Sequence, residues 1–264
     1  MLAIDTGFIF ALRQESVGVL DRLSGLQTTC GDGWTFYTGT IDNTSIAVVL
    51  SGVGQNNAEE ATKRLIDVFA PKAVCSAGYA GGLSSHLKRF DICVPEQVLR
   101  ESDGLALDLS DSIPQKTAPM PDKLTLITLN NVVETPAQKR KLHELTGAKI
   151  VDMETFAVAE VCRIRNVPFF SFRVVLDTVE DQIPPDIAKI LGSLDKGAAR
   201  LSGTILGNIW SRPSVVLDFV TLKKRAFTAS ERLALFALAE IRKLRCPPSS
   251  DLYLGNRIDS AKTS

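Results

Sequence analysis

Residues 45–83 read SIAVVLSGVGQNNAEEATKRLIDVFAPKAVCSAGYAGGL, and this stretch decides the fold class. An apolar, Val-rich run at 45–51 gives way to SGVGQNN (51–57), where Gly52 and Gly54 permit a tight turn. Residues 55–69 then carry Ala58, Ala61, Leu65 and Val68 or Phe69 on one helical face, and a second apolar run follows at 73–79. Strand, glycine turn, helix and strand in that order predict the crossover unit of a mostly parallel sheet. Outward from it, the same alternation predicts strands at 2–11, 34–40, 90–98, 124–129, 148–152 and 168–176, and helices at 14–24, 136–146 and 154–166. After Pro184 the pattern changes to three helices, 186–208, 213–223 and 228–244, whose Leu, Ile and Ala stripes are expected to cover the sheet or an interface. Residues 101–123 form a polar, Pro-containing loop of a length that is often functional or disordered. Residues 1–245 read as one α/β domain and residues 246–264 as a mobile tail.

The 264 residues are 45% hydrophobic and 23% charged, as in a soluble globular protein with a sizeable core. Thirty Lys and Arg balance thirty Asp and Glu, so no basic field exists to hold nucleic acid or an anionic membrane. The opening MLAIDTGFIFALRQE has no basic segment ahead of its apolar run and no small-residue cleavage site, so it reads as a first strand. No uninterrupted apolar run reaches the ~18 residues of a membrane span. The five cysteines, Cys30, Cys75, Cys93, Cys162 and Cys246, are widely spaced without a CxxC pair, which suits a reducing cytoplasm. The two histidines, His86 and His143, stand too far apart to build a zinc site or a histidine-based triad, so no metal or cofactor is expected. Any acid–base chemistry falls to carboxylates.

Three segments sit where an open α/β sheet places its ligand, at strand C-ends and the helix starts that follow. In SAGYAGGL (76–83), Gly78, Gly81 and Gly82 either let backbone approach a ligand or simply make a sharp turn. In VDMETFAVAEVC (151–162), acids at a helix start complement the helix dipole, yet a carboxylate there also suits the vicinal hydroxyls of a ribose, with the Met thioether on the sugar face. In FRVVLD (172–177), Asp177 ends a near-continuous apolar run, either as a cap for the next segment or as a site residue with a raised pKa. Arg173 lies inside that same buried run and needs a partner. Glu15, just past the first strand, reads as a helix-capping carboxylate or a fourth site residue.

In order along the chain, ALRQE (11–15), SGVGQNNAEEAT (51–62), SAGYAGGL, VDMETFAVAEVC and RVVLD (173–177) resemble the purine nucleoside phosphorylase and nucleosidase superfamily over about residues 1–180. The resemblance is to its methylthioadenosine/S-adenosylhomocysteine nucleosidase branch. The VDMET junction, RVVLD and LNNVVETPAQKRKL (129–142) also resemble the hopanoid-associated phosphorylase branch. The resemblance implies a three-layer α/β sandwich around a mixed, partly closed sheet, and cleavage of the N-ribosidic bond of an adenine nucleoside with a 5′ substituent. It also implies a homodimer or higher oligomer. Glu154 would bind the ribose hydroxyls, Met153 the sugar face, and Asp177 would protonate N7 of the base. Glu15 would handle the attacking water beside Arg173. Such a division is chemically sensible, because an N-glycoside needs a proton donor for the base and a base or anion site across the oxocarbenium-like sugar.

The chain departs from that pattern. Tyr79 and Leu176 stand where the nucleosidases have serines, which is expected to alter the pocket near Gly78 and the base. No aromatic base-stacking residue is recognisable in 129–136, where Val132 and Val133 are nearest. The arginine that hexameric phosphorylases place before the glycine turn is absent from VCSAG (74–78), which favours water over phosphate, with Arg13 a possible contributor to an anion site. Two other classes compete. One is a nucleoside-binding module without turnover; the other, a dinucleotide-dependent dehydrogenase, rests on SGVG and AGYAGG alone and lacks a GxGxxG after the first strand.

Overall fold

The computed structural model describes residues 4–31, 33–110, 123–185 and 213–245. The chain folds as β1 (Thr6–Phe10), α1 (Arg13–Leu20), β2 (Ser24–Gly31), β3 (Trp34–Ile41), β4 (Thr44–Leu50), α2 (Gln55–Phe69) and β5 (Ala73–Gly82). There follow β6 (Ile92–Cys93), β7 (Gln97–Arg100), β8 (Ala106–Asp108), β9 (Thr125–Thr128), α3 (Pro136–Thr146), β10 (Ile150–Asp152), α4 (Thr155–Arg165), β11 (Phe169–Asp177) and α5 (Pro213–Arg245). The strands form one mixed sheet in the order β2-β3-β4-β1-β5-β10-β9-β7-β8, with β11 and then β6 branching from β5. The expected mixed α/β sheet is present, and it does not close into a barrel.

Residues alternate across β5. Cys75 and Ala77 join Phe8, Phe10, Phe170 and Phe172 in a core shared with α1 and α5, while Val74 and Ala80 face a second core with Ala58, Ala61 and Leu65 of α2 and Phe156 and Cys162 of α4. Helices on both faces therefore bury the central strands, and each fully buried Phe, Ile or Leu contributes roughly 1.5–3 kcal/mol. A smaller cluster of Leu83, Ile127, Leu129, Ala148 and Val151 seats α3 through Leu142.

Several sequence expectations are corrected. The 14–24 helix ends at Leu20, and Ser24–Gly31 is an edge strand whose eight residues are all exposed, so it carries no apolar alternation to read. The 90–98 strand breaks into β6 and β7 around Pro95, which lacks the N–H that a ladder needs. The two helices at 213–223 and 228–244 are one, because nothing between Ser214 and Arg245 is Gly or Pro. β8 forms inside the expected 101–123 loop. The expected helix at 186–208 and the tail at 246–264 lie outside the described residues. No helix among the described residues is long and apolar enough to cross a membrane.

Candidate active site

β5 has a gap in its pairing. β1 runs parallel to it from Ala73 to Ser76, and β10 pairs antiparallel only with Gly81 and Gly82. Between them one edge of β5 lacks a strand, which makes a crevice where chain direction changes, the usual ligand position in such sheets. Glu15, in the first turn of α1, fills it. Its Oε1 accepts the N–H of Tyr79 at 2.9 Å and its Oε2 accepts that of Leu12 at 2.8 Å. Burial pushes the Glu15 carboxyl up, while these N–H groups and the nearby Arg173 charge pull it down; the net displacement is upward.

Gly78 makes room for the pair. A Cβ there would lie 2.8 Å from both Arg173 Nη1 and Glu15 Oε1. Arg173 stands opposite Gly78 in the β5–β11 register and is wholly buried. Its guanidinium is committed to Asp152 Oδ2 (2.8 Å), Ser76 Oγ (2.6 Å) and Thr155 Oγ1 (2.6 Å). Asp152 in turn accepts from Thr128 Oγ1 at 2.7 Å and from the Thr155 N–H at 2.9 Å, so it caps α4.

The two acids of DME thus divide. Asp152 is structural, whereas Glu154 makes no cap and reaches across to the Gly54 N–H at 2.8 Å. Gly54 opens α2 with φ 97°, a left-handed-side value that a side chain would strain, and this conformation aims its N–H at Glu154. Burial and the neighbouring charges of Asp152 and Glu15 push the Glu154 carboxyl up to about 8. The Asp152-paired guanidinium is the cation near both Glu15 and Glu154.

Asp177 lies further along β5, at the end of β11 on its other edge. A bulge between Val175 and Asp177 brings it opposite Gly81, where a Cβ would stand 3.2 Å from its Oδ2. Gly78 and Gly81 are three residues apart, so on the order of 10 Å of strand separates the Glu15–Arg173 end from the Asp177 end. Burial pushes Asp177 up, opposed by Lys139, whose Nζ donates to its Oδ2 at 2.5 Å.

Other expected site residues fall as follows. Met153 is half-buried between Asp152 and Glu154. Val133 packs against the cluster of Leu83, Ile127, Leu129, Ala148 and Val151. Tyr79 turns away from Gly78: its ring joins the α1–α5 core and its hydroxyl donates to the Ala226 carbonyl at 3.0 Å, so the phenol does not fill the Glu15 pocket. Leu176 likewise packs into that core. Arg13 is exposed at the start of α1. Buried Cys93 and Cys162 are pushed up to about 12, which keeps them protonated and unreactive. Among the described residues no three His, Cys, Asp or Glu are grouped to hold a metal ion. A cavity of about 340 Å³ lies beside the loop after Asp177, lined by Leu87, Lys88, Arg89 and Thr178 to Asp181, but neither Glu15 nor Glu154 borders it.

Sequence reading missed Lys139, since a Lys flanked by Gln138, Arg140 and Lys141 reads as a solvated face. It also missed the backbone donors of Gly54 and Tyr79, which no side-chain motif records.

The chain is similar in sequence and fold to known proteins. The chain is 26% identical over 218 residues to the 5′-methylthioadenosine/S-adenosylhomocysteine nucleosidase of Oceanobacillus iheyensis, covering 74% of this chain and 95% of that protein. Its fold matches the nucleosidase of S. pneumoniae solved with the transition-state inhibitor MT-ImmA, at TM-score 0.68 and 17% identity, covering 91% of this chain and 100% of the other. It also matches the futalosine hydrolase of Helicobacter pylori, at TM-score 0.67 and 17% identity, covering 92% and 99%. The sequence pattern of the Phosphorylase superfamily matches residues 14–124 and 109–207, more than half of the chain, and the protein therefore belongs to that superfamily.

Proposed function

We propose that the protein is an enzyme that hydrolyses the N-ribosidic bond of an adenine nucleoside carrying a 5′ substituent. The observation that carries this reading is the buried Glu15 carboxyl in the gap beside β5, near the Asp152-paired Arg173, with Glu154 at the α4 junction and Asp177 further along β5 on its β11 side. Asp177, desolvated and pushed up, holds the proton that goes to N7 as the bond to the sugar breaks. The electron pair of that bond leaves with the base. Glu15 takes the proton of a water that attacks C1′, and Glu154 binds the ribose hydroxyls, with Met153 against the sugar face.

Water suits the Glu15 position better than phosphate. A dianion there would meet a carboxylate, and the nearby guanidinium is already paired to Asp152. The named relative is a nucleosidase, which agrees with hydrolysis. The buried free thiols Cys75, Cys93 and Cys162 suit a reducing cytoplasm. We further read residues 1–245 as a single domain that assembles into a homodimer or larger symmetric oligomer. Light scattering tests the assembly, and a fully active monomer at micromolar concentration contradicts it. Release of free adenine from 5′-methylthioadenosine tests the reaction; no release from any 5′-substituted adenosine favours a binding module.

A further inference from the structure

Lys139 is the most deeply buried lysine among the described residues, with no exposed surface, although Gln138 and Arg140 beside it are exposed. A buried ammonium needs a partner for each proton. Lys139 Nζ has three: Asp177 Oδ2 at 2.5 Å, the Thr178 carbonyl at 2.8 Å and the Asp181 carbonyl at 2.9 Å. The two carbonyls belong to a turn that is itself fixed. Asp181 Oδ2 accepts from the Thr178 N–H and Oγ1, both at 2.7 Å, and Arg89 binds Asp181 Oδ1 at 2.6 Å and the Leu176 carbonyl at 3.2 Å. The cage exists independently of the Asp177 carboxylate, so Lys139 cannot swing to solvent without leaving two carbonyls unpaired.

We propose that Lys139 is the positioning residue for Asp177: it fixes Oδ2 in a charged hydrogen bond, so that Oδ1 alone meets the leaving base, and it neutralises the carboxylate left when the proton departs. This rests on the reading of Asp177 as the acid. In the step, the Oδ1–H bond breaks, the proton goes to N7, and the bonding pair of the glycosidic bond leaves with the base. The carboxylate that remains faces an ammonium already in place. The attraction is stronger once the proton has moved than before, so it lowers the barrier and not only the energy of the resting enzyme.

The groups that face Asp177 are Lys139 from α3, Asp181 from the following turn and Arg89 from the segment before β6. Arg89 and Asp181 pair with each other, so Lys139 is the unbalanced charge.

The test uses the full chain and 5′-methylthioadenosine, with kcat/KM followed against pH in wild type, Lys139→Gln and Lys139→Met. Gln keeps a donor without the charge; Met keeps neither. Removing an opposite charge at this distance raises a carboxyl by about 1–3 units. Activity that requires the protonated acid falls as pH rises through its titration, so the alkaline limb should move to higher pH by about 1–3 units in both variants. The maximal rate should drop about 10- to 100-fold, from loss of a charged hydrogen bond. A carbon-13 carboxyl titration of Asp177 should show the same displacement.

In wild type, which needs no variant, the Lys139 Nζ nitrogen-15 signal should move at the pH of the limb. Rates that fall with an unmoved limb and an unmoved Asp177 titration mean that Lys139 only supports the fold, and the proposal is wrong. So does a Nζ signal insensitive to that titration, should both variants fail to fold. If Asp177 titration moves but the limb does not, Asp177 is not the acid, and both the reading and the proposal built on it fall.

Discussion

Replacing Glu154 by Gln removes one of three carboxylates gathered around the single Arg173 guanidinium, and it should make the ligand-free protein more stable while making it a poorer enzyme. Burial and the charges of Asp152 and Glu15 push Glu154 from 4.5 to about 8. The folded protein therefore holds this proton more tightly than the unfolded chain does. The sign follows: the stability it contributes is fully present below pH 4.5 and is lost as pH rises to about 8. Gln does not titrate, so the variant gains on wild type across that window and keeps its advantage above it. At about 1.4 kcal/mol per unit the upper limit is roughly 5 kcal/mol, and relaxation of the half-buried side chain reduces this to on the order of 2 kcal/mol. For a chain of this size that is ~4–8 °C in Tm at about pH 9, shrinking toward zero near pH 4. Above about pH 8, where Glu154 is ionised, the same variant loses a charged acceptor for the ribose hydroxyls, worth about 1.5–3 kcal/mol, so kcat/KM should fall ~10- to 150-fold there. Thermal scans at several pH values and steady-state kinetics check both halves. A Tm difference that does not change with pH, or wild-type kinetics in a folded variant, would refute the reasoning.

Other expectations follow from named contacts. Asp177→Asn keeps a donor but no transferable proton, so adenine release should drop roughly 10²–10⁴-fold while nucleoside binding, read by calorimetry, survives; an unchanged rate points to another acid. Gly78→Ala places a Cβ 2.8 Å from both Arg173 Nη1 and Glu15 Oε1, and should abolish turnover with the fold retained by circular dichroism. Asp152→Asn leaves Arg173 without its buried partner and should cost about 3–5 kcal/mol in urea unfolding. Tyr79→Phe removes the hydroxyl's bonds to the Ala226 carbonyl and Ser230, so about 0.5–1.5 kcal/mol of stability should go for each, with kcat unchanged.

How far the sequence revealed these features depends on the kind of interaction that builds each one. The central strands were legible because each is buried on both faces, so Val and Ile runs bounded by glycine have no rival reading. β2 was not, since an exposed edge strand carries polar residues on both sides. Glu15, Glu154 and Asp177 stood out as charges just past or at the ends of apolar strands and Arg173 as a charge within one, and the structure gathers Glu15, Glu154 and Arg173 near the same gap. Their division of labour came from the family resemblance and not from the local pattern. Asp152 and Glu154 look alike in DMET, and only the direction of each side chain, one to Thr155 and Arg173, the other to Gly54, separates the cap from the candidate ribose acceptor. Lys139 illustrates the limit most clearly: helical spacing places it among polar neighbours, and its burial comes from a turn some 40 residues later in the chain. Tyr79 was misjudged for a related reason. Alternation along β5 sends it to the face opposite Gly78, so a large side chain there thickens the α5 contact and leaves the crevice open.

The most direct measurement is product analysis with 5′-methylthioadenosine, purified protein, and buffers with and without phosphate. Hydrolysis driven by Glu15 and Asp177 predicts free adenine and the free ribosyl sugar at the same rate in both buffers, with release suppressed in Asp177→Asn. Strict phosphate dependence with a sugar 1-phosphate product, or no adenine in either buffer, would contradict it.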